Sequence, residues 1–146
     1  MQKIVIDTNV FVSALIQRSY PYYIVSELFS GADIKLCISD DVFDEYYAVL
    51  NREKFSKYSD FAAKAQTLLV DIQKRAINYF PTIKLNIIDD IDDNKFLELS
   101  EISHANFLIT GNTNHFTMKD YKGTMIVTPK EFYEMYLLKR WHDEIQ

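Results

Sequence analysis

The sequence has little of what stabilises secreted proteins or builds long loops. It contains one cysteine, so no disulfide can form within the chain, and a single thiol suits the reducing cytoplasm. Glycine and proline occur three times each, which argues against a long disordered region. No apolar run approaches a membrane span, and no basic segment ahead of an apolar one marks a signal peptide. We therefore expect a cytoplasmic protein that forms one domain over residues 1–146.

The chain also lacks the motifs of several common enzyme classes. Without Gly-x-Gly-x-x-Gly it has no phosphate loop for a dinucleotide, and without Gly-Lys-Ser or Gly-Lys-Thr it is no P-loop nucleotide hydrolase. A Gly-x-Ser-x-Gly nucleophile elbow is missing as well. An aspartyl-phosphate phosphatase would need a second aspartate two positions after the first, where this chain has Asn9. These absences exclude the corresponding nucleotide-binding, acyl-transfer and phosphatase chemistries.

Positive charge is not in excess either. The formal net charge is −5 at pH 7, so the protein does not coat a nucleic acid by bulk electrostatic attraction. Any contact with nucleic acid would need a local basic patch, a bound cation or a basic partner.

Apolar segments with the periods of strands and helices alternate along the chain. This order is typical of an α/β fold, and we predict three α/β/α layers with a mostly parallel central sheet. Ligands of such sheets bind at the carboxyl ends of the strands. Strands are predicted at about 2–6, 34–38, 107–110 and 125–127, with a strand or extended segment at 83–88. Helices are predicted at about 7–17, 21–30, 40–50, 60–79, 93–105 and from 129, the longest being capped by Ser59 and stopped by Pro81.

An acidic residue follows the first predicted strand. The β-branched run ends at Asp7, and Thr8 and Asn9 come before apolar residues resume. A carboxylate at this place would face the ligand-binding edge of the sheet rather than the core. Asp7 could instead simply cap the helix that follows, as aspartate often does. Two further acids in matching places favour the functional interpretation.

Glu45 and Asp93 are those two acids, and each shares a helix face with core residues. Glu45 lies three residues after Val42, and Asp93 lies three residues before Phe96. Glu45 could also sit at the edge of its apolar face and reach out to water. Asp93 belongs to segment 89–93, where four of five residues are acidic. One or two acids would stabilise a helix start, but four repel one another unless a cation neutralises them.

Three carboxylates from separate segments predict a site for a hard cation. Oxygen ligands suit Mg²⁺ or Mn²⁺, which commonly serve phosphate chemistry. Zinc would need a cluster of histidine or cysteine, whereas the three histidines are scattered along the chain. We therefore predict Asp7, Glu45 and Asp93 as catalytic and metal-binding residues. The polar residues expected around them are Thr8, Asn9, Ser39, Thr110, Asn112 and Asn114.

Four motifs, in this order, resemble the PIN domain. They are Asp-Thr-Asn-Val-Phe-Val-Ser-Ala at 7–14, Ser39 followed by Glu45-Tyr46, the segment 92–99 and the segment 108–116. The chain is most similar to stand-alone bacterial proteins that form the toxin of a toxin–antitoxin pair. The resemblance implies an enzyme that cleaves single-stranded RNA with Mg²⁺ or Mn²⁺ held by Asp7, Glu45 and Asp93. It also implies that the Thr8 hydroxyl assists the site, that a small antitoxin binds the protein, and that the protein forms a homodimer.

The last motif departs from the family pattern. Family members often carry a fourth acid there, whereas this chain has Asn112 and His115. An asparagine can still bind a metal ion or its water, but it brings no charge, which weakens the case for a second metal ion. The departure keeps two alternatives open: a catalytically weak module that binds RNA or protein, and a structure-specific nuclease acting on DNA.

Overall fold

The helices and strands of this protein come from a computed structural model, which describes residues 1–31, 33–88, 90–111, 116 and 118–138. The strands are β1 (Gln2–Ile6), β2 (Ile34–Ile38), β3 (Ile77–Asn78), β4 (Phe107–Ile109), β5 (Asp120–Tyr121) and β6 (Thr124–Val127). The helices are α1 (Thr8–Ile16), α2 (Tyr20–Ser30), α3 (Asp40–Leu50), α4 (Phe61–Arg75), α5 (Asn94–Ser103) and α6 (Pro129–Phe132), the last continuing as a π-helical turn over Tyr133–Leu137. Short 3-10 turns cover Glu53–Phe55 and Ile91–Asp93.

Within the described residues the strands form one sheet in the order β3-β2-β1-β4-β6-β5. Neighbouring strands are parallel, except that β5 runs antiparallel to β6. β1 lies between β2 and β4, and its residues Ile4, Val5 and Ile6 are fully buried, as expected for a central strand with helices on both faces. The predicted α/β fold with a mostly parallel sheet is confirmed.

Two helices begin at caps that their sequences encode. The Oγ atom of Ser39 accepts a hydrogen bond from the backbone N–H of Val42 at 3.2 Å and starts α3. Thr128 and Glu131 form a reciprocal capping box at the start of α6, with Pro129 in its first turn. These caps satisfy N–H groups that a helix leaves without a partner at its start.

α4 is shorter than the helix predicted at 60–79, and that prediction is wrong at both ends. The residue before α4 is Asp60, in a left-handed conformation with φ 59°, so Ser59 does not hold the capping position. At the other end the chain leaves the helix to form β3 along the edge of β2, and Tyr79 N–H donates to the Ile38 carbonyl at 2.8 Å. Pairing with a sheet edge therefore ends the helix before the proline does.

The extended segment at 83–88 belongs to no strand. The backbone N–H groups of Ile87 and Ile88 donate instead to Oδ1 of Asn94, both at 3.0 Å. A buried side chain thus replaces the neighbouring strand that would otherwise satisfy this backbone. None of the helices in the described part of the chain is long and apolar enough to cross a membrane.

Candidate metal centre

The candidate site lies where β1 and β4 end. The backbone N–H of Asp7 donates to the carbonyl of Ile109 at 2.9 Å, and the N–H of Thr110 donates to the carbonyl of Val127 at 2.9 Å. These bonds extend the ladder one residue past each strand, so Asp7 and Thr110 leave the sheet at the same edge. The side chains that follow the two strands therefore meet.

The Asp7 side chain accepts a hydrogen bond from a threonine hydroxyl across the site. Asp7 occupies the position before α1, but its side chain makes no capping hydrogen bond. Instead Oγ1 of Thr110 donates to Oδ2 of Asp7 at 2.8 Å, and Asp7 is only 5% exposed. The capping alternative does not describe this side chain.

The ionised form of the Asp7 carboxyl group is destabilised by its surroundings. Burial raises its pKa from 3.8 to about 6, against the hydrogen bond from Thr110, which lowers the pKa. The negative charges of Asp93 and Glu45 raise it further. No lysine or arginine among the described residues forms an ion pair with Asp7. The three predicted acids are thus near enough for their charges to interact.

Glu45 lies on α3 and turns toward α1 and α5. Its Oε2 atom accepts a hydrogen bond from the hydroxyl of Thr8, and its Oε1 atom lies 3.2 Å from Nζ of Lys95. The neighbouring Tyr46 is fully buried, and its hydroxyl donates to the carbonyl of Ile6, the residue before Asp7. α3 is therefore fixed against the end of β1, and this contact places Glu45 beside the site.

Asp93 ends the 3-10 turn that leads into α5 and is half-buried. Its neighbour Asn94 is buried and fixes this turn to the extended segment, since it accepts from two backbone N–H groups there and donates from Nδ2 to the Ile88 carbonyl at 3.1 Å. Of the other acids in this run, Asp92 is exposed, and its N–H is held by the side chain of Asp90 at 3.1 Å. Asp92 and Asp93 thus occupy different environments.

The other predicted polar residues divide into three groups. Thr8 and Thr110 contact the acids directly, as described above. Ser39 is buried but serves as the cap of α3, and Asn9 is exposed on the first turn of α1. Asn112, Asn114 and His115 lie outside the described residues.

Lys95 is the site residue that the sequence interpretation missed. It is the one lysine or arginine between Lys84 and Lys119, and it lies two residues after Asp93, the last acid of segment 89–93. A single positive charge in this stretch could have drawn attention to Lys95 from the sequence. Its pairing with Glu45, however, depends on how α3 and α5 pack. The structure therefore adds a positive charge to a site in which acids were the only charged residues predicted.

The chemistry of these residues fits a hard divalent cation. All of the predicted ligands are oxygen donors, and Asp7 is a buried carboxylate that lacks a cationic partner in the described part of the chain. The described residues contain no group of three His, Cys, Asp or Glu side chains already gathered to hold a metal ion. The Glu45 carboxylate contacts Thr8 and Lys95.

Three similarities to known proteins bear on this site. An uncharacterized protein of Methanocaldococcus jannaschii, MJ1680, is 29% identical over 141 residues that cover 90% of each chain. That organism is archaeal, so the likeness extends beyond bacterial proteins. A solved structure of VapBC2 from Rickettsia felis, bound to a DNA fragment from their promoter, has a TM-score of 0.56 at 16% identity. The match covers 87% of this chain and 98% of that chain, and it shows a shared fold. A family model described as PIN domain matches residues 3–114, which is more than half of the sequence, and the chain therefore belongs to the PIN domain family.

Proposed function

We propose that this protein is a metal-dependent endoribonuclease that cleaves single-stranded RNA, with Asp7, Glu45 and Asp93 as its catalytic carboxylates. PIN domains are generally nucleases that use divalent metal ions, which supports a hydrolase acting on phosphodiester bonds. The observation that carries the proposal is the state of Asp7. A buried carboxylate whose charge is opposed by two further acids is stabilised when a cation binds beside it.

The proposed ligands of Mg²⁺ or Mn²⁺ are Asp7, Glu45 and Asp93, with Asn112 as a further candidate. When bound, such a cation polarises a water molecule and offsets negative charge on the phosphate. Thr110 keeps Asp7 in one orientation through its hydrogen bond, and Thr8 does the same for Glu45. Asn9, Ser39 and Asn114 remain proposed contacts to the substrate.

Isosteric substitutions test these roles. Asp7→Asn, Glu45→Gln and Asp93→Asn should each lower cleavage of a labelled single-stranded RNA in Mg²⁺ or Mn²⁺ by roughly 100-fold or more, because each removes a charge next to the reacting phosphate. Asp92→Asn is the matched control, since Asp92 is the exposed neighbour of Asp93. A variant at Asp7 or Asp93 that cuts as fast as the parent would contradict the assignment.

The resemblance of the motifs further suggests the toxin of a toxin–antitoxin pair, with a small antitoxin and a homodimer as partners. The fold shared with VapBC2 supports this suggestion. Co-purification with the product of the adjacent gene, and the mass of the purified protein in solution, would test the two partners separately. A monomer at high concentration would contradict the homodimer.

A catalytically weak binding module is the second candidate, and the pairing of Glu45 with Lys95 favours it. A glutamate already neutralised by a lysine is a poorer metal ligand than a free one. This candidate predicts no cleavage of single-stranded RNA in Mn²⁺, together with RNA binding that survives Asp93→Asn. Competition between single-stranded RNA and branched DNA separates both candidates from a structure-specific DNA nuclease.

A further inference from the structure

We propose that Lys95 is a tethered counter-ion that competes with a divalent cation for Glu45 and so lowers the affinity of the site for metal. The inference rests on the proposed function, because it takes the three acids to be the metal ligands. It adds a positioning residue that acts through Glu45.

The first support is that both oxygens of Glu45 are engaged. Oε1 lies 3.2 Å from Nζ of Lys95, and Oε2 accepts the hydroxyl hydrogen of Thr8. Each oxygen keeps a second lone pair that a cation could bind, but a cation bound there would lie close to one of these partners. Thr8 can rotate its hydroxyl and remain beside a bound carboxylate, whereas an ammonium group cannot share an oxygen with a divalent cation without strong repulsion.

The second support is that the pair is sheltered from solvent. The side chains of Lys95 and Glu45 are 23% and 20% exposed. Lys84, in the extended segment 83–88, forms another ion pair with Asp41 on α3. The side chains of this pair are 81% and 59% exposed. Water screens the outer pair far more than the inner one, so only the inner pair should change the energetics of the site.

The third support is the distribution of charge. The charges of Glu45 and Asp93 both act on Asp7, and Lys95 places a positive charge beside Glu45, one of the three carboxylates. Lys95 therefore stabilises the arrangement without metal. A contact that stabilises only the metal-free state weakens metal binding by the same free energy.

Mn²⁺ affinity, measured by calorimetric titration of the full chain, tests the proposal without reference to catalysis. Lys95→Met keeps the length of the side chain and removes its charge, and it should tighten Mn²⁺ binding by roughly tenfold, the effect of one partly sheltered charge. Lys95→Arg keeps the charge and should bind Mn²⁺ no more tightly than the parent. Lys84→Met is the matched control, because it removes the same charge from an exposed pair with α3 and should leave the affinity within about twofold.

Thermal unfolding in EDTA supplies a second measurement. Lys95→Met should unfold at a lower temperature than the parent without metal, and Mn²⁺ should raise its unfolding temperature by a larger interval than it does for the parent. Equal Mn²⁺ affinity for the parent and Lys95→Met would overturn the proposal, as would an equal effect of Lys84→Met.

The outcomes also separate this inference from the proposed function. Tighter Mn²⁺ binding by Lys95→Met, abolished by adding Asp7→Asn, would support the competition even if no RNA is cleaved. Binding by Lys95→Met alone, with none by the parent, would support it more strongly. If neither protein binds Mn²⁺ at millimolar concentration, both the competition and the metal dependence are overturned.

Discussion

Thr110 and Asp7 show how one hydroxyl can hold a charge where burial opposes it. The hydrogen bond is 2.8 Å long and lowers the pKa of Asp7, whereas burial and two neighbouring carboxylates raise it to about 6. The net effect is unfavourable to the charged form. Asp7 therefore costs the metal-free protein stability at neutral pH, and this cost has a definite pH dependence.

Asp7→Asn should make the metal-free protein more stable at pH 7.5 and leave it nearly unchanged at pH 4. The folded-state pKa of about 6 exceeds the ordinary 3.8, so the folded state holds the proton more tightly than the unfolded state. Protonated Asp7 therefore stabilises the folded state at low pH, and this stabilisation is lost as the pH rises from about 4 to 6. The loss in free energy of unfolding is about 3 kcal/mol. Urea unfolding of the parent and the variant in EDTA at both pH values measures the difference. A gain of equal size at pH 4 and pH 7.5 would show that ionisation of Asp7 is not its cause.

Single residues also mark what the sequence could and could not reveal about the site. The position of Asp7 at the carboxyl end of β1 was predictable because the run of β-branched residues ends directly before it. Lys95 was not, because its partner lies fifty residues away on another helix and the packing angle of two helices is not written in either one. Ser39 was predicted both as the cap of α3 and as a polar residue of the site, and the cap is confirmed because it depends only on residues three positions apart.

At the scale of elements, the start of α5 depends on a segment outside the sheet. Asn94 receives two backbone hydrogen bonds from that segment and returns one, and Glu98, one turn later, accepts the N–H of Leu85 at 2.7 Å. The extended segment is thus joined to two successive turns of α5. This joint fixes the turn that carries Asp93.

Asn94→Ala should destabilise the protein by about 2–4 kcal/mol, because it removes the partner of the Ile87 N–H and of both backbone groups of the buried Ile88. Denaturation in urea measures the loss. Asn86→Ala is the control, since Asn86 is exposed in the same segment and should change stability by less than about 0.5 kcal/mol. An Asn94→Ala protein with the parent's urea midpoint would mean that the hydrogen bonds between Asn94 and the extended segment do not contribute to stability.

Elements with a strong internal period were predicted well, and those defined by distant partners were not. β1, β2 and the caps of α3 and α6 follow from local residues. The end of α4 does not, because the apolar spacing continues past it while the edge of β2 offers hydrogen bonds that no local pattern encodes. β5 is two residues long and exists through its pairing with β6, so a sequence window cannot detect it.

At the scale of the whole molecule, the strand order places the site. The chain runs outward from β1 through β2 to β3, then returns to the other side of β1 with β4. The connections on the two sides of β1 therefore diverge, which opens a crevice at the carboxyl ends of β1 and β4. Asp7 and Thr110 are the first residues beyond those two ends.

Backbone amide hydrogen exchange should be slowest in the central strand of the sheet and fastest in its edge strands. The amides of β1 should exchange only through global unfolding, because the strand is central and its residues Ile4 to Ile6 are fully buried. The edge strands β3 and β5 have two residues each and should exchange faster by orders of magnitude. Exchange measured by mass spectrometry would contradict this arrangement if β3 were protected as strongly as β1.

The contact between Asp7 and Thr110 joins residues 103 positions apart. During synthesis the first strand leaves the ribosome long before its neighbour β4 exists, and it waits without that neighbour while most of the chain is still being translated. A nascent polypeptide that lacks β4 therefore lacks any activity that needs Asp7 in its final position. The proposed cleavage of RNA therefore cannot begin before the residues of β4 have been synthesised.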